Sequence, residues 1–520
     1  RTRVRRSANP PGPMAALLLG TIVALAACTT SSEVTATTAG STTTTVPTTR
    51  AVELSRGEPG ETGLGDPYNP SAGNGGYNVT HYNLDLGLEV ATGELAGVAT
   101  IEAVALDSLS SFNLDLHELT VSAVAVDGVD VDFESGDGEL TVLADLERGT
   151  TFIAVISYSG VAGQVTPNSV GIPNGWIRTN DGLFTVNEPD GAPTWYPVNN
   201  HPSDKATYSI SVTVDEPYTA VSNGLLEEKR AGNGVATYAY TSDDPMASYL
   251  TVVAVGLFEE EAGSGPQGLP IRNYFPADIT DLERSYFAGQ ADMIDFFADL
   301  FGPYPFDSYG SVVVDTDFSA ALETQTMSTF GRGVLVLEEA VVAHEVAHQW
   351  FGNSVTPASW QDIWLNEGFS TYAQWLWAGH VNGPDAFDVL VENAYRTVSG
   401  LSLLTEGISP GLAVTLAAEQ FPPPGTPPLG NLFNPSVYQR GALTLHALRL
   451  QVGDDTFFEL MRSYTAAFQH RNASTADFIQ IAEEVSGHDL EALFGSWLLA
   501  EVVPAMPELG LAPPEEEPGG

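Results

Sequence analysis

The sequence predicts a multidomain α+β protein, with an N-terminal antiparallel β domain followed by a mainly helical domain. Three observations lead there. A chain of 520 residues exceeds what one core organises and indicates about two to four domains. From residue 77 to about 256, apolar residues recur with period two, the mark of half-buried strands. After Ile271 the apolar spacing becomes that of helices.

Taken in order, Arg1, Arg3, Arg5 and Arg6 precede an apolar run over 14–27 that ends Leu25-Ala26-Ala27-Cys28. A basic start, a short apolar stretch and small residues before a cut describe an export signal, here over 1–27. The run is too short for a membrane span. Its end resembles a bacterial lipobox, which implies lipidation of Cys28 and a protein held on the outer face of a cell membrane, extracellular or periplasmic. With one cysteine, an internal disulfide is excluded. Residues 28–65 read as a flexible linker, because Thr and Ser dominate 29–50 and bury too little to offset chain entropy.

The β domain is expected over 66–260. Tyr82-Asn83-Leu84-Asp85-Leu86, Phe112-Asn113-Leu114-Asp115-Leu116 and Val129-Asp130-Val131-Asp132-Phe133 alternate, with turns at Asp127-Gly128 and Asp137-Gly138, so one face should be wet. The helical domain is expected over 261–502. Thr280-Asp281-Leu282-Glu283 reads as a capping box starting a helix that runs to about residue 300, before Gly302-Pro303. Val312-Val313-Val314 reads as a buried strand. Glu338 and Glu339 suit the positive start of a helix that Gly352-Asn353 would end. Ser474-Thr475-Ala476-Asp477 starts a late helix, and 503–520, rich in Pro and Glu, reads as a disordered tail.

The charge is extreme: 66 acidic residues against 19 basic ones, a net −47. Such a surface repels nucleic acid and anionic lipid. Solubility is the plain reading and attraction of cationic peptides the sharper one.

The chemistry concentrates at His344-Glu345-Val346-Ala347-His348. Two histidines four apart share a helix face, so both imidazoles reach one ion. Glu367, which follows His348 after eighteen intervening residues, would complete a two-His, one-Glu zinc set with one open position, one zinc per chain. Glu345, beside the first ligand, is placed to act as general base. A core helix with two satisfied histidines is the competing structural reading, but a buried His-Glu-His run without a partner is costly.

The words His344-Glu345-Val346-Ala347-His348-Gln349-Trp350-Phe351-Gly352-Asn353 and Trp364-Leu365-Asn366-Glu367-Gly368-Phe369 resemble the aminopeptidase N family of gluzincins, which includes the leukotriene epoxide hydrolases. Gly73-Asn74-Gly75-Gly76-Tyr77, Trp195-Tyr196-Pro197 and Phe301-Gly302-Pro303-Tyr304-Pro305-Phe306 extend the likeness to about residues 66–500. The resemblance implies a saddle-like β domain, a thermolysin-like catalytic domain, and hydrolysis of the first peptide bond of substrates with a free N-terminus. It assigns Glu323 and Glu188 to the substrate ammonium, the backbone of Ala320 and Ala321 to the extended peptide, and Tyr438 to the oxyanion. Departures from the family pattern are Ala320, Leu322 and Thr324 around Glu323, with Val186 and Pro193 near Glu188. With the folded part expected to end near residue 500, the family's C-terminal helical-repeat domain has no room, and a more open cleft follows. A thermolysin-like endopeptidase and a non-catalytic surface lipoprotein that kept the fold are the alternatives. Epoxide hydrolysis has no positive support.

Overall fold

The period-two pattern folds into one long sheet. The computed structural model describes residues 2–4, 57–165 and 173–514. Its eight-stranded sheet runs in the order Leu225–Gly232, Val235–Ala247, Lys205–Asp215, Tyr77–Glu89, Glu94–Ala105, Thr151–Val161, Thr120–Val126, Val129–Asp130. All neighbours are antiparallel except Lys205–Asp215 and Tyr77–Glu89, paired Thr207 to His81 through Thr213 to Gly87. Leu84, Leu86 and Leu88 point inward between exposed Asn83, Asp85 and Gly87, as alternation requires.

Two of the alternating runs behave differently from expectation. Along Leu109–Asp115 the polar face is not wet: Asn113 and Asp115 are both buried. A second layer covers them, and they serve it as internal clamps. Asp115 accepts from the amides of Gly73 (3.1 Å) and Asn200 (2.9 Å), and Asn113 donates to the Gly60 carbonyl at 2.9 Å. The Val129 to Phe133 run splits, because Val129–Asp130 pairs into the long sheet while Phe133–Gly136 joins another with Glu139–Val142 and Leu109–Asp115.

The linker expected over 28–65 is docked at its end. Glu58–Pro59 pairs beside Leu109 and Ser111, and the amides of Glu58 and Gly60 donate to Ser108 (3.1 Å) and Ser111 (2.8 Å). Backbone hydrogen bonding of this kind holds a segment whose side chains bury little. The rest of the linker, Cys28 and nearly all of the signal segment lie outside the described residues. Among the described residues no helix is long and apolar enough to cross a membrane.

A smaller sheet, Gly175–Arg178, Leu183–Val186, Val253–Gly256 and Thr219–Ser222, stands between the long sheet and the catalytic half. Its inward residues Phe184, Val186, Val221, Val252 and Ala254 share one apolar cluster with Tyr274, Val312, Val314, Phe318, Leu322 and Met327. Those partners belong to or border the five-stranded catalytic sheet, ordered Phe258–Ser264, Pro270–Pro276, Tyr309–Val314, Ser328–Gly331, Ala321–Leu322. The strand Phe258–Ser264 spans residue 260, where the sequence placed the domain boundary, and pairs on the catalytic side.

The helices carry the rest. The Thr280 capping box forms with Glu283, but its helix stops at Ser285 and a second one, α1 (Gln290–Phe301), resumes after Gly289. Beyond it lie α2 (Glu339–Ala347), α3 (Trp364–Asn382), α4 (Pro384–Val398) and α5 (Pro435–Val452). The capping box at Ser474 forms with Asp477. The tail expected from 503 is packed as far as residue 511: Val503 and Met506 are buried, and the Tyr395 hydroxyl donates to the Pro504 carbonyl at 2.8 Å. Burial of these two apolar side chains adds to the backbone contacts that hold this acidic, Pro-rich stretch in place.

Asp66 ties the first residues of the β domain to the start of α3. Its carboxylate accepts from the amides of Tyr68 (2.8 Å), Asn69 (3.2 Å) and Trp360 (2.9 Å) and from the Ser359 hydroxyl (3.0 Å). Burial pushes its pKa up, but His201, these amides and Ser359 outweigh that and bring it to about 2. Asp66→Ala is expected to lower unfolding stability by about 2–3 kcal/mol at pH 7, read by urea denaturation. Because the folded pKa is depressed, the deficit should be full above about pH 4 and shrink as pH falls toward about 2. A pH-independent deficit would contradict the clamp.

Candidate metal centre and active-site cleft

Helix α2 is short, and its ending shapes the centre. Gly352-Asn353 was expected to stop it, but the α-helix closes at Ala347 and His348 is its C-cap. The turn that follows returns the Phe351 carbonyl to His348, which donates to it from Nδ1 at 2.9 Å. That bond fixes the tautomer and leaves the Nε2 lone pair facing inward. Gly352 is required nearby, at φ +118°, because a side chain there would sit 3.2 Å from His348 Nδ1 and Asn366 Nδ2.

His344 and His348 bring their Nε2 atoms to 3.0 Å of each other. Glu367, in the first turn of α3, places Oε2 3.2 Å from His344 Nε2 and 3.4 Å from His348 Nε2. All three side chains are buried. Two inward imidazole nitrogens this close, beside a carboxylate, require a positive charge among them. Burial disfavours charge on His348, yet Glu323, Glu367 and Glu345 together raise its pKa to about 10. The donor set, two nitrogens and one carboxylate oxygen, suits zinc with a position left open.

Glu345, Glu323 and Glu188 line the same cavity of about 660 Å³. All are buried. Burial, then the neighbouring charge of Glu323, pushes the Glu188 carboxyl well above the usual range. Glu323 is raised by burial, with His348 opposing. Each keeps one carboxylate oxygen without a protein partner, Glu188 Oε1 and Glu323 Oε1. Two such acids side by side form a receptor for a cation.

The supports of these carboxylates were not read from the sequence. Asn353 Nδ2 donates to the Glu323 carbonyl at 2.6 Å, and Gln349 Nε2 does so at 3.3 Å while its Oε1 accepts from the Thr326 amide at 2.9 Å. Both residues stand in the signature word around His344, which was the available signal. The substitution at Thr324 therefore leaves Glu323 held from the turn that follows α2, and Thr324 Oγ1 instead bonds the Met327 carbonyl and Thr329. Glu188 follows the strand Leu183–Val186. Its neighbour Asn187 is pinned to Thr251 (2.6 Å to the carbonyl) and to Trp195 Nε1 (3.1 Å). Val186 and Pro193, the other departures, are buried in the fold. Ala320 and Ala321 line the cavity, and Ala321–Leu322 is the edge strand of the catalytic sheet.

Tyr438, in the first turns of α5, lies with its ring 6.2 Å from that of His344 and nearly parallel to it. Burial and the charges of Glu367, Glu188 and Glu323 push its phenol well above the ordinary range, so it remains a proton donor. Its position depends on two helical glycines. A Cβ on Gly368 of α3 would sit 2.9 Å from the Gly441 backbone of α5, and one on Gly441 would sit 3.0 Å from Gly368. The helix backbones touch there, one residue past Glu367 and three past Tyr438.

This fold and donor set define a two-domain zinc metallopeptidase, and the comparisons specify it. The Peptidase M1 N-terminal domain matches residues 78–250 and the Peptidase family M1 domain matches 287–497. A crystal structure of an M1 zinc metallopeptidase from Deinococcus radiodurans, a mutant bound to a Tyr-Ser-Ala substrate, is 30% identical, with TM-score 0.75 over 87% of this chain and 99% of that one. The chain belongs to the M1, or aminopeptidase N, family, and its metal is zinc. Aminopeptidase M1 of Arabidopsis thaliana is 28% identical over 325 residues, 60% of this chain and 36% of that protein. Leucyl aminopeptidase of Saccharolobus solfataricus is 25% identical over 81% of this chain and 53% of its own. The chain thus spans about a third to a half of the length of these curated relatives.

Gly441→Ala should force α3 and α5 apart, costing about 1–3 kcal/mol by overpacking and displacing Tyr438 from His344. The expected result is loss of turnover larger than loss of bound zinc, measured by steady-state kinetics beside metal analysis. Full activity in this variant would contradict the close-contact argument.

Proposed function

We propose that the protein is an aminopeptidase, hydrolysing the N-terminal peptide bond of peptides that carry a free α-amine. The observation that carries this reading is the pair Glu323 and Glu188, two buried acids with unpartnered oxygens in the cavity that also holds the metal ligands. A cationic group anchored there sets how much of the chain can reach the reacting centre, and only the first peptide bond falls in register.

Zinc held by His344, His348 and Glu367 supplies Lewis acidity, which polarises a carbonyl and acidifies water. The protein's own groups do the rest. Glu345 takes a proton from the attacking water and passes it to the departing amine. Tyr438 donates its hydroxyl proton to the oxyanion as charge develops, a role worth about 100- to 1,000-fold in rate. Ala320 and Ala321 offer the backbone of an edge strand, along which an extended peptide can lie. Glu323 and Glu188 accept the ammonium hydrogens, and a blocked amine would leave both acids unpaired.

Glu345→Gln is expected to keep its zinc and lose at least about 100-fold in kcat. Glu323→Ala should chiefly raise KM for free-amine peptides. N-acetylated peptides should resist the parent enzyme. Equal cleavage of acetylated and free peptides would refute the amine anchor and indicate an endopeptidase, and near-normal turnover by Glu345→Gln would refute the base.

A further inference from the structure

The cleft has a one-sided charge. Four acids, Glu188, Glu323, Glu345 and Glu367, line the cavity, and among the described residues no lysine or arginine does. Arginines on the bordering elements are already engaged. Arg332 heads the segment Arg332–Leu337, from which Val334 and Leu337 reach the cavity; it bonds Asp278 (2.9 Å), Glu283 (3.1 Å) and Asp315 (3.3 Å). Arg396 of α4, the helix that contributes Asn393 and Thr397 to the wall, pairs with Glu392 at 2.7 Å. Arg440, two residues past Tyr438, is fully buried and donates to the carbonyls of Trp497 (2.7 Å), Ser496 (3.3 Å) and Glu501 (3.4 Å). Beyond the cleft, the chain's net charge of −47 extends the same sign outward.

A substrate ammonium and the zinc ion answer these carboxylates at the scissile bond. Among the described residues that line the cavity, no lysine or arginine answers a negative charge that comes just after it. In a dipeptide the α-carboxylate trails the scissile bond by one residue, about 3.5 Å of extended chain, and so falls inside the cavity. One repulsion at such range is worth about tenfold, and the wider field adds a salt-dependent share.

We infer that the cleft selects against a carboxylate close behind the scissile bond and favours peptides whose remainder is neutral or cationic. This rests on the aminopeptidase reading and adds the substrate class to it. Free dipeptides are poor substrates, their amides good ones, and longer peptides are ranked by charge.

The test uses the zinc-loaded full chain with four substrates sharing one N-terminal residue: Leu-Gly, Leu-Gly-amide, Leu-Gly-Gly-Lys-Lys-amide and Leu-Gly-Gly-Glu-Glu. Values of kcat/KM are compared at low and high salt. Leu-Gly-amide should exceed Leu-Gly by about tenfold. The lysine peptide should exceed the glutamate peptide by a similar factor at low salt, the ratio falling toward one as salt screens it. Asn393→Lys, at an exposed position on the cavity wall, should narrow both ratios. Hydrolysis of Leu-Gly as fast as its amide, or parity of the charged peptides at low salt, overturns the inference while leaving an aminopeptidase. Hydrolysis of none of the four overturns the aminopeptidase reading and the inference with it.

Discussion

The structure depends on one electrostatic demand. Two imidazole nitrogens 3.0 Å apart and a carboxylate oxygen within 3.4 Å of both are buried together, with three further acids on the same cavity. Such a group calls for a positive charge at its centre: a proton on His348, whose pKa the surrounding acids raise to about 10, supplies it without metal, and a bound divalent cation supplies it more fully. The ion is therefore part of the fold's balance as well as of its chemistry, and the surrounding architecture reads as the means of holding this cluster together.

Each support acts on a different ligand. The Phe351 carbonyl sets the tautomer of His348, and the contact of Gly368 with Gly441 brings the tyrosine helix against the glutamate helix. Asp66 reaches from the β domain to fix the start of α3, which carries Glu367. The apolar cluster around Phe184, Val312 and Leu322 locks the small sheet that presents Glu188 to the catalytic sheet that presents Glu323. The β domain thus contributes to the cleft, placing the Glu188 carboxyl on the cavity that also holds Glu323 and the metal ligands.

What was legible in the sequence follows from which interactions leave a pattern. The spacing of His344 and His348 is a helical period, so their convergence could be derived from geometry alone. Alternation along Tyr77–Glu89 located the long sheet for the same reason. Glu323, Glu188 and Tyr438 have no such periodicity and were placed only through family likeness. Side chains that bond backbone carbonyls leave no pattern either, so Asn353 and Gln349 were read as parts of a signature, without their hold on Glu323. The same blindness made Asn113 and Asp115 look wet, and made residues 57–65 and 503–511 look loose, since long-range backbone contacts fix them. Gly368 and Gly441 do carry a sequence signal, because glycine inside a helix is costly without a reason such as close contact.

The central claim is most directly tested by crystal diffraction on both sides of the zinc absorption edge. The account predicts one anomalous peak per chain, about 2.0–2.2 Å from His344 Nε2, His348 Nε2 and the Glu367 carboxylate. Density showing these three side chains bonded only to one another in zinc-loaded crystals, with the ion elsewhere, would contradict it.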